Sequence, residues 1–357
     1  MSNPTSLSRK RVLSGMRPTG KMHLGNYMGA LHNWVRLQDE PQYECYFFIA
    51  DWHALTTDYA DPSQIAASTS ELILDYLAAG LDPARSVLFV QSDVKSHAEL
   101  HLLLSMITSV GWLERVPTYK EQQENLKDKD LSTYGFLGYP LLQAADILMY
   151  QADFVPVGQD QVAHVELTRE VARRFNQFYK RPAASSQQSA GDEILPEPQA
   201  LLTPSPKLPG TDGRKMSKSY GNAILLTDPE PEVRAKIKPM VTDPARVRRT
   251  DPGNPDKCPV GDFHKVFSSQ ETIAKVYEGC TTAGIGCIEC KSWAADAIVS
   301  MLAPIQERRV KFEQNPALVT EILTDGARRA TARAEQTMHD VRSAMGLSPS
   351  AAGTSPA

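Results

Sequence analysis

The sequence predicts an α/β protein: a Rossmann-like parallel sheet with helices on both faces, continued by a helical C-terminal third. Three patterns predict it. Apolar runs that are continuous rather than alternating, as in strands covered on both faces, occur at residues 12–13, 43–50, 86–91 and 154–157. Helical periodicities fall between them, the alternation of βαβ units. Beyond Leu226 the pattern turns helical and stays so.

Basic Arg9, Lys10 and Arg11 precede the first strand, at Val12 and Leu13. Gly15, Gly20 and Gly25 then lead into a helical pattern of Leu24, Tyr27, Met28 and Leu31, with His23 and Asn26 at its entrance. A strand that turns through glycines into a helix start gathers backbone N–H groups and the positive end of a helix dipole, which suits a phosphate. The spacing is not the dinucleotide G-x-G-x-x-G, so by itself this segment reads equally as a plain strand, turn and helix. The run 43–50 ends in Asp51-Trp52-His53, and residues 62–79 read as a helix capped by Asp61. Strand 86–91 precedes a helix over 100–110. Ligands of such sheets sit at the carboxyl ends of strands, where the glycine turn, residues 51–53 and residues 91–93 all fall.

After Pro140 a helix has apolar residues on nearly every side and one carboxylate, Asp146. A buried carboxylate needs a donor from the protein or from a ligand; the other reading puts Asp146 on a narrow solvent-facing strip. Strand 154–157 leads through Gly158-Gln159-Asp160-Gln161 into an amphipathic helix over 162–178, whose Arg169, Arg173 and Arg174 read as a solvated face. Residues 181–210, rich in Pro, Ser, Gln and Gly, read as loop or crossover. Gly210, Gly213 and Gly221 flank Arg214-Lys215-Met216-Ser217-Lys218-Ser219. Two lysines and two hydroxyls on a hinged loop suit closure over phosphates, although such a run also reads as a solvated loop. Helices are expected over 230–240, 272–279, 293–313 and 318–345, interrupted by an irregular, arginine-bearing stretch at 243–257. The domains are set at 1–222 for the sheet and 223–346 for the helical part, with 347–357 a disordered tail.

At 357 residues the chain is long enough for about two domains and a substantial core. With 41% hydrophobic and 22% charged residues it reads as soluble and globular. A net charge of −4 argues against indiscriminate coating of DNA or an anionic membrane and leaves room for a local RNA-binding face. Residues 2–10 lack the apolar core of a signal peptide, and no apolar stretch reaches the roughly 18 residues of a membrane helix, so the cytoplasm is expected. Five cysteines are too few for a disulfide scaffold. Cys45 is alone in a strand, whereas Cys258, Cys280, Cys287 and Cys290 follow one another with 21, 6 and 2 residues between them. That clustering points to a metal, and four thiolates suit zinc and an iron–sulfur cluster alike.

His23-Leu24-Gly25-Asn26 and Lys215-Met216-Ser217-Lys218-Ser219, about 190 residues apart on an α/β pattern, resemble the paired HIGH and KMSKS signatures of class I aminoacyl-tRNA synthetases. Gly15-Met16-Arg17-Pro18-Thr19-Gly20, Asp51-Trp52-His53-Ala54, Ala144-Ala145-Asp146-Ile147, the segment Pro156 to Gln161 and the segment His164 to Arg169 extend the likeness to about residue 346. Together they resemble the bacterial-type tryptophanyl-tRNA synthetases. The resemblance implies activation of L-tryptophan by ATP with Mg²⁺, then transfer to tRNA(Trp) with release of pyrophosphate and AMP, by a cytoplasmic homodimer. It implies catalytic roles for His23, Asn26, Lys215 and Lys218. ATP contacts are implied at Arg17, Pro18, Thr19, Gly25, Asn26, Lys120, Gly158, Gln159, Asp160, Leu208 and the five residues Lys215, Met216, Ser217, Lys218 and Ser219. Tryptophan contacts are implied at Gly15, His53, Tyr139, Asp146 and Gln161, with Asp146 accepting the indole N–H and Tyr139 and Gln161 holding the α-amino group.

Asn26 replaces the last His of HIGH, as is usual in this family, and Arg17 stands where many members carry Gln. A subset of the family carries a [4Fe–4S] cluster in the anticodon-binding domain on a similar cysteine pattern; the last two spacings agree and the first is one residue shorter. The resemblance thus implies a cluster on Cys258, Cys280, Cys287 and Cys290, with zinc as the alternative. A tyrosyl-tRNA synthetase would share the fold. A non-catalytic RNA-binding paralogue would be expected to lose signature residues, and His23, Lys215 and Lys218 are all present.

Overall fold

A computed structural model of the chain describes residues 9–125, 129–179, 193–202 and 208–347. All but Leu347 of the tail expected at 347–357, and part of the loop expected at 181–210, lie outside these residues. Five parallel strands form one sheet: β1 (Lys10–Met16), β2 (Tyr43–Ile49), β3 (Ser86–Val90), β4 (Phe154–Val157) and β5 (Gln199–Leu202), in the order β3-β2-β1-β4-β5. The strand order reverses between β1 and β4, and the crevice beyond the carboxyl ends of those two strands is where an open α/β sheet binds ligands.

The continuous apolar runs are explained by two cores. Val12, Phe47, Ile49 and Leu88 face one side with Leu24, Trp34 and Leu72, while Leu13, Tyr46, Phe48 and Phe89 face the other with Leu100, Leu148 and Phe175. Both sides of β2 and β3 are covered along most of their length, so those runs are apolar throughout. Trp34 stacks on Phe47, with ring centroids 4.9 Å apart and planes 5° from parallel.

Several elements differ from the sequence expectation. The helix expected from residue 62 runs over Ile65–Ala79, because Asp61 accepts the Ser63 N–H and turns the chain first. The helix expected over 100–110 is two, Ser96–Ser105 and Val110–Glu114; between them the Thr108 hydroxyl bonds the Leu104 carbonyl. Within the segment expected to be loop, Gln199–Leu202 pairs with β4 as an edge strand, four residues too short and too exposed to signal themselves.

The C-terminal third is helical: Glu230–Ile237, Pro259–Phe267, Gln270–Thr281, Cys287–Glu313 and Pro316–Ala344. The last helix returns to the sheet, where Ala330, Ala334 and Met338 join the core of Leu100 and Phe175. It lies so close to β3 that a Cβ at Gly326 would fall 1.7 Å from the Leu88 carbonyl oxygen. Arg329 donates to the Pro83 carbonyl at 2.7 Å, so this helix covers the edge that β3 would otherwise present.

Candidate active site

At the end of β1, Gly15 sits under the ring of Phe48, where a Cβ would come within 2.5 Å of ring carbon. Only glycine leaves the crevice open there. The chain then turns through Gly20, at φ +82°, to His23. His23 caps the helix start: its Nδ1 accepts the Asn26 N–H at 3.2 Å. Leu24 N–H donates to the Ile224 carbonyl and Leu226 N–H to the Met22 carbonyl, both at 2.9 Å, so the first signature is stitched to the segment behind the second. Burial, and then the charges of Lys218 and Lys215, lower the His23 pKa to about 4. The ring is therefore neutral at physiological pH, and with Nδ1 accepting, its proton is on Nε2.

The second signature faces the first. Lys218 Nζ donates to the carbonyl of Lys21 at 2.9 Å and to that of Thr19. Met216 is buried, and its Cβ lies 3.5 Å from where a Cβ on Gly25 would be. The loop is anchored by Asn222, which is 2% exposed: its Oδ1 accepts the Ser217 N–H at 2.8 Å, and its Nδ2 donates to Asp212 at 2.7 Å. Lys215 and Ser219 are exposed.

Beside these signatures a cavity of about 360 Å³ opens at the strand-order reversal. Gly15, Arg17, His53, Tyr139, Asp146, Gly158 and Gln161 all line it. The buried carboxylate has its donors: His53 Nε2 reaches Asp146 Oδ2 at 2.9 Å, His97 Nδ1 reaches Oδ1 at 2.6 Å, and Gln91 Nε2 lies 2.7 and 2.9 Å from the two oxygens. An ionised carboxylate only accepts, so both imidazoles donate to it, and His97 Nε2 in turn accepts from the Tyr150 hydroxyl at 2.8 Å. Burial pushes the Asp146 carboxyl up, but the hydrogen bonds from His53 and His97 outweigh it and hold the pKa at about 2. Tyr139 is fixed by Thr118, whose hydroxyl also meets His164 Nε2 at 2.6 Å. Arg17 bonds the Thr57 hydroxyl at 2.5 Å and lies 3.8 Å from Asp58; burial lowers its pKa, and its Nε has no partner.

The structure thus gathers the residues expected around tryptophan into one cavity, and separately brings His23, Gly25 and Asn26 together with the lysine loop, outside that cavity's lining. Pro18 and Leu208 are buried, Thr19 receives Lys218, and Gln159 and Asp160 form an exposed turn after β4. Lys120 lies exposed on the helix Pro117–Asn125, off the cavity lining. Sequence reasoning missed His97, Tyr150, Thr118 and Asn222, and quoted His164 within a family-like segment without giving it a role. Gln91 it marked only as a strand end.

The four clustered cysteines line one small cavity with Arg246, Val260 and Ile285. All are free thiols. Burial, and then the other three cysteines, push the Cys290 thiol up to about 12, and burial also raises Cys280. Arg246 Nη1 lies 3.7 Å from Cys280 Sγ, and His264 Nε2 lies 3.4 Å from Cys290 Sγ. Among the described residues no set of three or more His, Cys, Asp or Glu side chains is drawn together closely enough to hold a metal ion. Nor, among them, is any helix long and apolar enough to cross a membrane.

The family of class I tRNA synthetases for W and Y matches residues 6–303 of this sequence. A tryptophan–tRNA ligase from Thermotoga maritima is 56% identical across 94% of the chain and 99% of its own length. The chain belongs to the class I tryptophanyl-tRNA synthetases. A second relative, the tryptophan–tRNA ligase of Ralstonia nicotianae, is 51% identical across 95% of the chain and 98% of its own length. The solved tryptophanyl-tRNA synthetase of Campylobacter jejuni, complexed with ADP and tryptophan, superposes with a TM-score of 0.82 at 31% identity, covering 94% of this chain and all of that one. The parallel five-stranded sheet is accordingly the class I synthetase fold.

Proposed function

We propose that this tryptophan–tRNA ligase binds ATP along the rim formed by the two signatures and tryptophan in the adjoining cavity. The reaction is the activation of L-tryptophan to its adenylate, followed by transfer to tRNA(Trp) with release of AMP. The tryptophan carboxylate attacks the α-phosphate in line and pyrophosphate leaves, so no protein nucleophile is needed. Holding the reactants in line and offsetting charge on the phosphates supply the acceleration.

In this reading neutral His23 donates its Nε2–H to a phosphate beside the helix entrance at Gly25 and Asn26. Lys215 and Lys218 meet the leaving pyrophosphate, where a bound Mg²⁺ would supply further positive charge. Gly158, Gln159 and Asp160 serve the ribose, Leu208 the adenine, and Lys120 the triphosphate. Arg17, Pro18 and Thr19 border the nucleotide. Tyr139 and Gln161 hold the α-amino group, Gly15 and His53 flank the substrate, and Asp146 accepts the indole N–H. One observation supports the reading above others: Lys218 reaches across to Thr19 and Lys21, two residues from His23, beside a cavity whose base carries an ionised, fully hydrogen-bonded Asp146. An indole N–H would add a donor to those of His53, His97 and Gln91, which a phenylalanine side chain lacks.

ATP–pyrophosphate exchange measured with each of the twenty amino acids tests it. Exchange with tryptophan alone, abolished by Asp146→Ala and slowed to a measurable residual rate by Lys218→Ala, is the expected result; tyrosine-dependent exchange of similar rate overturns it.

Residues 1–222 are assigned to catalysis and 223–346 to anticodon binding. Cys258, Cys280, Cys287 and Cys290 are assigned a [4Fe–4S] cluster that supports the anticodon-reading surface, with zinc as the alternative. That the four thiols line one cavity supports the assignment, and a bound cation would have to draw them closer than they stand. Protein purified without oxygen is expected to carry about four iron and four sulfide per chain; stoichiometric zinc without iron overturns the cluster. A homodimer is supported by the exposed apolar Leu102, Met106 and Val110, and light scattering reads the oligomer directly; the cytoplasm stays the expected location.

A further inference from the structure

The peptide between Lys21 and Met22 is gripped from both sides. Its carbonyl, on Lys21, accepts Lys218 Nζ at 2.9 Å; its N–H, on Met22, donates to Asp75 Oδ2 at 2.8 Å. Asp75 stands on the helix Ile65–Ala79 and is wholly buried. Its other oxygen accepts from Arg309 Nη1 at 2.5 Å, and Arg309, only 4% exposed, lies near the end of the helix Cys287–Glu313. Arg309 also donates to Glu71 at 2.6 Å and to Glu313 at 2.7 Å, but of the three carboxylates only Asp75 is fully enclosed.

A buried ion pair is a poor means of gaining stability, since apolar replacements often do as well, whereas losing one partner strands a charge. What this pair does supply is a fixed acceptor for one N–H. A planar peptide whose N–H is fixed has its carbonyl fixed as well, pointing the opposite way. The carbonyl in question is the one that receives the closing lysine. An ammonium has three protons; with Thr19 and Lys21 taking two, one is left for a phosphate. The same helix that brings Arg309 begins at Cys287 and carries Cys290 in its first turn, roughly 30 Å away at 1.5 Å per residue.

We propose that Asp75 and Arg309 are positioning residues for Lys218: they orient the Lys21–Met22 peptide so that its carbonyl holds the lysine at the mouth of the nucleotide site. The proposal rests on the reading of Lys218 as a phosphate-binding lysine. It also makes the cysteine-bearing helix the rod that carries Arg309 to the catalytic cleft.

The test uses the full-length protein and pyrophosphate exchange, with rates expressed per active site titrated by adenylate formation. Arg309→Met is expected to raise the KM for ATP about tenfold and lower kcat as much, with the Kd for tryptophan within about twofold of wild type. Arg309→Lys restores most of the loss, and Glu313→Gln, which touches Arg309 but not Asp75, behaves as wild type. In the double variant with Lys218→Ala, the Arg309→Met effect is expected to vanish. Wild-type ATP kinetics in a fully titrating Arg309→Met protein, or additivity in the double variant, overturns the proposal. A Lys218→Ala protein with wild-type kinetics overturns instead the reading of the second signature. Should Arg309→Met not fold, Asp75→Asn decides: it keeps an acceptor for the Met22 N–H but not the charge, and wild-type kinetics there count against the pair.

Discussion

The His97 imidazole lies 2.6 Å from the Asp146 carboxylate, and the Tyr150 hydroxyl closes on its far nitrogen at 2.8 Å. His97 and Tyr150 are fully buried and Asp146 is 1% exposed, so none of the three can exchange its partner for water. The row fixes one imidazole tautomer and aims the carboxylate. His97→Gln is expected to weaken tryptophan binding by roughly tenfold, about 1.5 kcal/mol for a charge-assisted bond lost from a buried carboxylate. Tyr150→Phe should act in the same direction by less. Equilibrium dialysis with tryptophan reads both, and an unchanged Kd in His97→Gln would show that Gln91 and His53 suffice.

Two buried histidines set the acid limit of the fold. Burial, helped at His23 by Lys218 and Lys215, brings His23 to about 4, and burial brings His164 to about 4. Unfolded, each takes up its proton near pH 6.5. Between about pH 4 and 6.5 the unfolded chain binds more protons, so stability contributed by these groups is complete above 6.5 and is lost as pH falls toward 4. Melting temperatures taken from pH 4 to 8 should rise and then level, with a shallower rise in His164→Gln. Neutral His23 also predicts no inflection from this residue in kcat/KM for ATP between pH 6 and 8; one that disappears in His23→Asn would contradict the assignment.

Asn222 holds the lysine loop. A Cβ on Gly210 would come 2.3 Å from its Nδ2, so that glycine exists to admit the amide. Asn222→Ala leaves the half-buried Ser217 N–H and the Lys215 carbonyl without this partner, at about 1 kcal/mol. The expected result is a fall in exchange kcat of about tenfold or more with tryptophan affinity retained, because the cavity around Asp146 is untouched. Loss of tryptophan affinity in step with kcat would mean that the loop and the cavity are not separable.

Chemistry that sits in consecutive residues was readable; chemistry assembled by the fold was not. The strands showed because alternate residues, Phe47 and Phe48, feed different cores, so the whole run had to be apolar. The edge strand β5 buries too little to leave such a mark. Asp146 stood out as a carboxylate among aliphatic neighbours, and the requirement for a donor could be stated. The donors could not be named, because His97 lies on another helix and no local pattern aims it at position 146. Asp75 and Arg309, in the same way, look like ordinary surface charges of two amphipathic helices until the helices pack. The cysteines were legible as a group because spacing alone confined them to 33 residues, whereas Arg246 and His264 beside two of the sulfurs were not.

Gly326 supplies a test in which two principles give opposite signs. In the interior of a helix, Gly→Ala is expected to stabilise by about 1 kcal/mol, since alanine loses less backbone freedom on folding. Here the added methyl would fall 1.7 Å from the Leu88 carbonyl oxygen and 2.7 Å from its carbon, atoms of a strand held in register by β2. Neither can rotate away, so the helix Pro316–Ala344 must lift, loosening the Arg329 bond to Pro83 and the packing of Ala330 and Ala334. Overpacking of this kind costs about 1–3 kcal/mol, which exceeds the propensity gain. Gly326→Ala is therefore expected to melt several degrees below wild type. A higher melting temperature would mean that the last helix does not lie against β3, and with it the account of how the sheet edge is covered would fail.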